Sequence, residues 1–320
     1  MVLHSIADAI GHTPLVRLSR LAPDVDGTIL AKLEYLNPGS SKKDRVARGI
    51  IVAAEESGAL RPGQTVIELT SGNMGTGLAL VCAAHGYRFV AVMSKGNSEE
   101  RARMMRALGA EVVLVDQCPG STVGEVSGPD LAAVEEETRR LTAQLGAFRA
   151  DQFEHPANHL AHYTGTGPEI WEQSAGQITA FCDFVGSGGT FSGCARYFKE
   201  RDPGVECFVV EPAGAAPLSG APVRDPRHPI QGGGYAMPTL TQLAGVQPDG
   251  YLEVSGETAA TTARALARRE GIFAGYSAGA NVAAALELLR GSRAGGTVAV
   301  VICDSGLKYL STGLWTERFP

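Results

Sequence analysis

A lysine at the start of a predicted helix is the residue best suited to covalent chemistry. The segment 37–45 reads NPGSSKKDR; its proline and glycine end a strand, and its serines can cap the following helix. A lysine in that first turn projects into a cleft. If its surroundings lower its pKa, its amine stays neutral and condenses with an aldehyde. Taken alone, KKDR at a helix start is more often a solvated surface turn.

Three further loops each join a strand to a helix. Residues 68–77 (ELTSGNMGTG) bring hydroxyls, an amide and free backbone N–H groups to a helix N-terminus, which suits a carboxylate or phosphate, although a capped tight turn is an equal reading. Residues 186–193 (GSGGTFSG) form a candidate phosphate loop that lacks the nucleotide-binding spacings. The small residues of 275–281 (GYSAGAN) favour tight helix–sheet packing, and the serine hydroxyl there can also face a ligand.

Composition excludes several classes of function. The chain has 320 residues, enough for two domains that share a cleft. Its net charge of -6 and the lack of a basic stripe argue against a nucleic-acid partner. The six cysteines have no metal-binding spacing, so we expect no metal site. We expect no membrane span and no signal peptide, and we therefore predict a cytoplasmic protein.

Predicted strands and helices alternate along the chain on either side of these loops. Continuously apolar strands are predicted at 28–34, 65–69, 88–93, 111–116, 180–186, 206–211 and 297–304. Helices are predicted near 43–57, 75–85, 98–108, 128–144, 190–201, 257–270 and 279–290. The segments 117–127 and 213–250 are predicted to be irregular. This alternation predicts an α/β fold whose largely parallel sheets are covered on both faces, with ligands beyond the carboxyl ends of the strands.

In this order and spacing, the motifs resemble those of the cysteine synthase and cystathionine β-synthase family of fold-type II pyridoxal 5'-phosphate (PLP) enzymes. The similarity runs from GHTPL (11–15) to DSGLKYLST (304–312). It implies a tryptophan synthase β-like fold with two domains, each a mostly parallel sheet flanked by helices, usually as a homodimer. A smaller, mobile domain (36–155) is expected to carry the PLP lysine and the substrate-carboxylate loop. A larger domain (1–35 plus 156–320) is expected to carry the phosphate loop and the serine that faces the pyridine nitrogen.

The resemblance also assigns roles to individual residues. Lys43 is the catalytic lysine that holds PLP as a Schiff base, Asn73 contacts the phenolic oxygen of PLP, and Ser277 faces its pyridine nitrogen. The substrate carboxylate is assigned to Thr70, Ser71, Gly72 and Gln152. The cofactor phosphate is assigned to Gly186, Ser187, Gly188, Gly189 and Thr190.

A serine at the pyridine nitrogen agrees with a particular chemistry. A neutral hydroxyl cannot keep that nitrogen protonated, so the ring is a weaker electron sink than it is beside a carboxylate. Loss of the Cα proton to Lys43, coupled to departure of the β-substituent, is then favoured. The resulting aminoacrylate takes up a nucleophile. We therefore expect β-replacement on an O-activated serine or a related amino acid, by a cysteine synthase-like transferase or lyase of amino-acid biosynthesis.

Other functions stay open at this point. The nucleophile is homocysteine or an amine in one alternative, which would suit a specialised pathway. A serine or threonine dehydratase fits the loops less well. A catalytically silent relative with a binding or regulatory role is the alternative from another class, and the intact Lys43 argues against it.

Several positions depart from the family pattern. Lys42 stands where the family often has an apolar residue, and Met74 replaces a common threonine. Cysteine synthases usually read MPETMS where residues 93–98 read MSKGNS, and residues 118–128 form an apparent insertion. We predict that the loop 94–98 sets the choice of donor or nucleophile. Lys95 is the first residue to test there, although a solvated surface lysine is the simpler interpretation.

Overall fold

The computed structural model describes residues 2–121 and 126–316 of the chain, in which ten strands form two sheets. The strands are β1 Leu15–Leu18, β2 Thr28–Lys32, β3 Val66–Leu69, β4 Phe89–Ser94, β5 Glu111–Val115, β6 Phe148–Arg149, β7 Ala180–Phe184, β8 Glu206–Pro212, β9 Gly250–Val254 and β10 Thr297–Val301. The large sheet has the order β1-β2-β10-β7-β8-β9, and the small sheet has the order β5-β4-β3-β6. All pairings are parallel except that of β1 with β2.

Helices flank both sheets. In the described residues they are α1 Lys43–Ser57, α2 Asn73–His85, α3 Glu99–Ala107, α4 Gly128–Leu145, α5 Ala157–Ala161, α6 Gly167–Gln173, α7 Gly189–Arg201, α8 Gly256–Ala265, α9 Tyr276–Arg290 and α10 Gly313–Thr316. Every residue of β3 and β4 is buried, as expected of parallel strands covered on both faces. Within the ranges that the structure describes, no helix is long and apolar enough to cross a membrane.

The predicted fold class is confirmed. All seven predicted strands and all seven predicted helices are present, and the sequence analysis missed three strands (β1, β6 and β9) and three short helices (α5, α6 and α10). Of the segment 213–250 that was predicted to be irregular, residues 213–249 form only two short 3-10 turns, and Gly250 begins β9. Residues 122–125 of the apparent insertion 118–128 lie outside the described residues.

The first turns of α1, α2, α7 and α9 supply the loops singled out in the sequence. Helix α1 buries Val46, Ala47, Ile50 and Ile51, which share one face and pack in a core with residues of α2. The loops into α2 and α7 leave the carboxyl ends of β3 and β7, which belong to different sheets. A cleft between the two sheets is therefore the place where these loops meet.

Candidate active site

One cavity collects most of the predicted site residues. Its wall includes Lys43, Thr70, Ser71, Asn73, Gln152, Gly186, Ser187, Gly188, Thr190 and Ser277. Gly72 and Gly189 lie in the same loops but not in this wall. A Cβ at Gly72, whose φ is +125°, would lie 2.4 Å from Cδ of Arg101, and a Cβ at Gly189 would lie 2.1 Å from Oδ1 of Asn158. Because these two positions have no side chain, Arg101 and Asn158 can pack directly against the backbone of the two loops.

The two adjacent lysines differ in protonation. Burial, and then the neighbouring ammonium of Lys42, lower the pKa of Lys43 to about 7, so that much of its amine is neutral at physiological pH. Its Nζ lies 3.1 Å from Oγ of Ser187. Burial alone lowers the pKa of Lys42 as well, but the carboxylate of Asp183, 2.8 Å from its Nζ, more than offsets this and raises that pKa. Lys43 is therefore the lysine able to condense with an aldehyde.

The glycine-rich loop meets the N-terminus of α7. Gly188 caps this 13-residue helix with a φ of +87°, a conformation that favours glycine. Ser187 and Thr190 are buried beside it, and Asn158 Nδ2 donates to Oγ of Ser187 at 2.8 Å. The ring of His162 lies 3.2 Å from Oγ1 of Thr190, and burial holds its pKa well below the usual value. Hydroxyls and free backbone N–H groups at a helix N-terminus are suited to a phosphate.

The loop between β3 and α2 is shaped by its own side chains. Oγ1 of Thr70 accepts hydrogen bonds from the backbone N–H groups of Gly72 and Gly75, both at 2.9 Å. The hydroxyls of Ser71 and Tyr235 lie 3.1 Å apart. Thr70 thus holds the turn, while Ser71 and Tyr235 face the cavity together. Tyr235 is a wall residue to which the sequence analysis assigned no role.

A buried charged cluster holds Asn73 in one orientation. Nδ2 of Asn73 donates to Oδ2 of Asp304 at 2.7 Å, and Oδ1 of Asn73 accepts from Nζ of Lys308 at 2.8 Å. Tyr309 also donates to Asp304, at 2.8 Å, and Arg101 lies over the Tyr309 ring. Burial lowers the pKa of Lys308 to about 8. One hydrogen of the Asn73 amide stays available to an acceptor in the cavity.

The guanidinium of Arg101, in α3, donates to the carbonyl of Ser71 at 2.5 Å. The sequence analysis missed Arg101 because it lies 30 residues from Ser71 along the chain. Asp304, Lys308 and Tyr309 belong to the segment 304–312 that carries the resemblance, but nothing in their spacing indicated this cluster.

The remaining predicted residues, Gln152 and Ser277, also line the cavity. The backbone N–H of Gln152 donates to the carboxyl group of Glu68 at 3.2 Å, and burial raises the pKa of that carboxyl to about 7. Ser277 lies in the first turn of α9 and is 9% exposed. Its hydroxyl contacts the thiol of Cys303, whose pKa burial raises to about 12. A thiol that stays uncharged at neutral pH is thus a direct neighbour of the Ser277 hydroxyl.

A second cavity adjoins the first and shares Ser71, Gln231, Gly232 and Tyr235 with it. Asn97 lines this second cavity, as do His228 and Arg227. In contrast, the ammonium of Lys95 pairs with Asp116 at 2.5 Å, and its side chain is about half exposed. The loop 94–98 therefore approaches the cavities through Asn97 and not through Lys95.

The observed groups fit a cofactor that carries an aldehyde at one end and a phosphate at another. The fit rests on a buried amine with a lowered pKa, a helix N-terminus flanked by buried hydroxyls and an uncharged hydroxyl at Ser277. In the two ranges that the structure describes, no cluster of three His, Cys, Asp or Glu residues is placed to hold a metal ion.

Comparison with known proteins agrees with this geometry. A model of the pyridoxal-phosphate dependent enzyme family matches residues 6–304. Cysteine synthase B of Salmonella typhimurium is 41% identical over 316 residues, which cover 99% of this chain and 97% of that protein. The structure of O-acetyl serine sulfhydrylase isoform 3 from Entamoeba histolytica superimposes with a TM-score of 0.89 at 36% identity, covering 100% of this chain and 93% of the other.

A third similarity is to a cystathionine beta-synthase. The structure of an O-acetylserine dependent cystathionine beta-synthase from Helicobacter pylori has a TM-score of 0.89 at 32% identity and covers 98% of this chain and 99% of its own. These similarities span nearly the whole chain, as the motifs do. The chain is a pyridoxal-phosphate dependent enzyme that belongs to the cysteine synthase and cystathionine β-synthase family.

Proposed function

We propose that the enzyme catalyses β-replacement on an O-activated serine, with O-acetylserine as donor and sulfide as nucleophile. The observation that carries the proposal is the buried Lys43 amine with a pKa of about 7, in one cavity with residues of the glycine-rich loop 186–190 and the uncharged Ser277. PLP, when bound, supplies the electron sink that makes the Cα proton of the substrate acidic. A neutral Lys43 amine is then able to take that proton.

The other wall residues have proposed roles in binding. The N-terminus of α7, with Gly186, Gly188 and the hydroxyls of Ser187 and Thr190, holds the phosphate, while Ser277 faces the pyridine nitrogen. Asn73 donates to the phenolic oxygen. The carboxylate of the amino acid lies against Thr70, Ser71 and Gln152, on the loops beyond β3 and β6. Water is excluded when residues 36–155, as a smaller mobile domain, close over the larger domain formed by 1–35 and 156–320.

A nucleophile larger than sulfide is the second candidate. The cavity that contains Asn97 adjoins the one that contains Lys43; its wall is mainly apolar but includes the polar side chains of Asn97 and His228, which would accommodate homocysteine or an amine. The name of the Helicobacter pylori relative joins O-acetylserine to cystathionine formation, so the same donor is compatible with such a nucleophile.

The proposed setting is a homodimer in the cytoplasm. Val2, Leu3 and Ile6 are large hydrophobic residues exposed near the N-terminus, which is compatible with a second copy covering them. The six cysteines are free, and five of them are buried, as is usual for a protein in a reducing compartment.

A product screen tests the function. O-acetylserine, O-phosphoserine, serine and cysteine are offered as donors against sulfide, homocysteine and a set of amines, and the products are identified by mass spectrometry. We expect cysteine from O-acetylserine and sulfide, no product with Lys43→Ala, and full activity with Lys95→Ala, an exposed lysine outside the cavity. A wild-type enzyme that binds PLP but yields no β-substituted product from any pair would refute the proposal and favour a silent relative.

A further inference from the structure

A buried ion pair lies directly beside Lys43. Nζ of Lys42 is 2.9 and 2.8 Å from the two carboxylate oxygens of Asp183, and both residues line the cavity. Asp183 is 1% exposed, and its Oδ1 also accepts from Nδ2 of Asn281 at 3.1 Å. The backbone N–H of Lys42 donates to the carbonyl of Cys303 at 2.9 Å. The pair is therefore held from β7, from α9 and from the chain after β10.

Two adjacent lysines in one cavity create a chemical ambiguity. An amine bonds to an aldehyde when its nitrogen lone pair adds to the carbonyl carbon; a C=N bond forms, and the aldehyde oxygen leaves as water. An ammonium has no lone pair and cannot react in this way. Protonation therefore decides which lysine captures the cofactor.

We propose that Asp183 is a positioning residue that keeps Lys42 as an unreactive ammonium, so that Lys43 alone bonds to PLP. We further propose that the ammonium of Lys42 helps to keep the amine of Lys43 neutral. Both statements rest on the proposed role of Lys43 as the PLP lysine. They concern capture of the cofactor and not the later replacement reaction.

The charges around Lys43 support this division of roles. Asp183 raises the pKa of Lys42, and Lys42 lowers that of Lys43, although burial is the largest cause for Lys43. The titratable groups that face Lys43 are Lys42, Asp183, Glu68, Cys303 and His162. Burial holds the thiol of Cys303 and the ring of His162 uncharged at neutral pH, and Glu68 is only partly ionised there. Among these groups, Lys42 and Asp183 therefore supply the main charges that act on Lys43.

Trapping of the bound cofactor tests the first statement. Full-length Lys43→Ala and Lys43→Ala/Asp183→Asn proteins are incubated with PLP, reduced with borohydride and digested, and the pyridoxyl group on Lys42 is quantified by peptide mapping. We expect essentially no label on Lys42 in the first protein and at least about tenfold more in the second. The matched control is Lys43→Ala/Asp116→Asn, which breaks the exposed pair of Asp116 with Lys95 and leaves Lys42 unlabelled.

A pH series keeps the test decisive if the double variant does not fold. In Lys43→Ala protein, Lys42 stays unlabelled from about pH 7 to about pH 10, the range in which an ordinary lysine begins to lose its proton. Label on Lys42 that rises over this range as it does for a free lysine would overturn the proposal. So would an unlabelled Lys42 in a folded Lys43→Ala/Asp183→Asn protein that still binds PLP by equilibrium dialysis.

The second statement has its own measurement. In Lys42→Met, the unpaired carboxylate of Asp183 favours the protonated form of Lys43, so capture of PLP by the apoenzyme near pH 7 slows by about tenfold. Lys42→Met/Asp183→Leu removes both charges and restores capture. Unchanged capture in Lys42→Met would refute this statement. Because the readouts are peptide masses and capture rates, they stand even if no β-substituted product is ever found.

Discussion

Gly279 lies where α9 crosses α8. Replacing it with alanine should displace α9, the helix that carries Ser277 into the cavity. An added Cβ would lie 2.0 Å from the carbonyl oxygen of Ala259 and 2.8 Å from the amide nitrogen of Ala263. Both atoms are backbone, so no side-chain rotation relieves the overlap. The helices would have to separate by about 1 Å or more to reach ordinary contact distances. The sequence analysis favoured helix–sheet packing for these small residues, whereas this contact is between two helices.

The expected cost of Gly279→Ala is about 3 kcal/mol of unfolding free energy, at the upper end for overpacking, since two buried helices must move. Urea unfolding of the apoenzyme measures it. The holoenzyme should also lose PLP affinity, because α9 begins at Tyr276 and carries Ser277. The control is Gly128→Ala at the start of α4, where no heavy atom lies within 4 Å of the added Cβ, so the change should be neutral or stabilise by up to about 1 kcal/mol. Equal effects of the two substitutions would refute the reasoning.

Three further predictions concern the site. Ser277→Asp should slow β-replacement at least about tenfold and raise side reactions, since a carboxylate keeps the pyridine nitrogen protonated; unchanged spectra and turnover would contradict the placement of Ser277. Because the pKa of Lys43 is about 7 and only its neutral amine reacts, capture of PLP by apoenzyme should slow about tenfold for each pH unit below that value, as stopped-flow absorbance would show. Asn97→Ala should raise KM for the nucleophile several-fold while Lys95→Glu leaves the kinetics unchanged; equal effects would remove the selective role of this loop.

Most of the regular structure was predictable because it follows strong local patterns. The central strands are continuously apolar, and helices such as α1 repeat buried residues at helical spacing. The missed elements lack such patterns. Strand β1 is half exposed at the edge of the large sheet, β6 has two residues, and α5 has five. Their conformation depends on neighbours that are distant in sequence.

The cofactor chemistry was predictable from the sequence because four motifs, each ambiguous alone, together resemble in order and spacing those of a known PLP enzyme family. The protonation of the two lysines could not be predicted in this way, because Asp183 lies 141 positions from Lys42 along the chain and reaches it through folding. The tertiary structure also decided that Thr70 holds a turn and that Asp304 and Lys308 orient Asn73. A pKa and an amide orientation depend on burial and on charges a few ångströms away, and folding brings those together from both sheets.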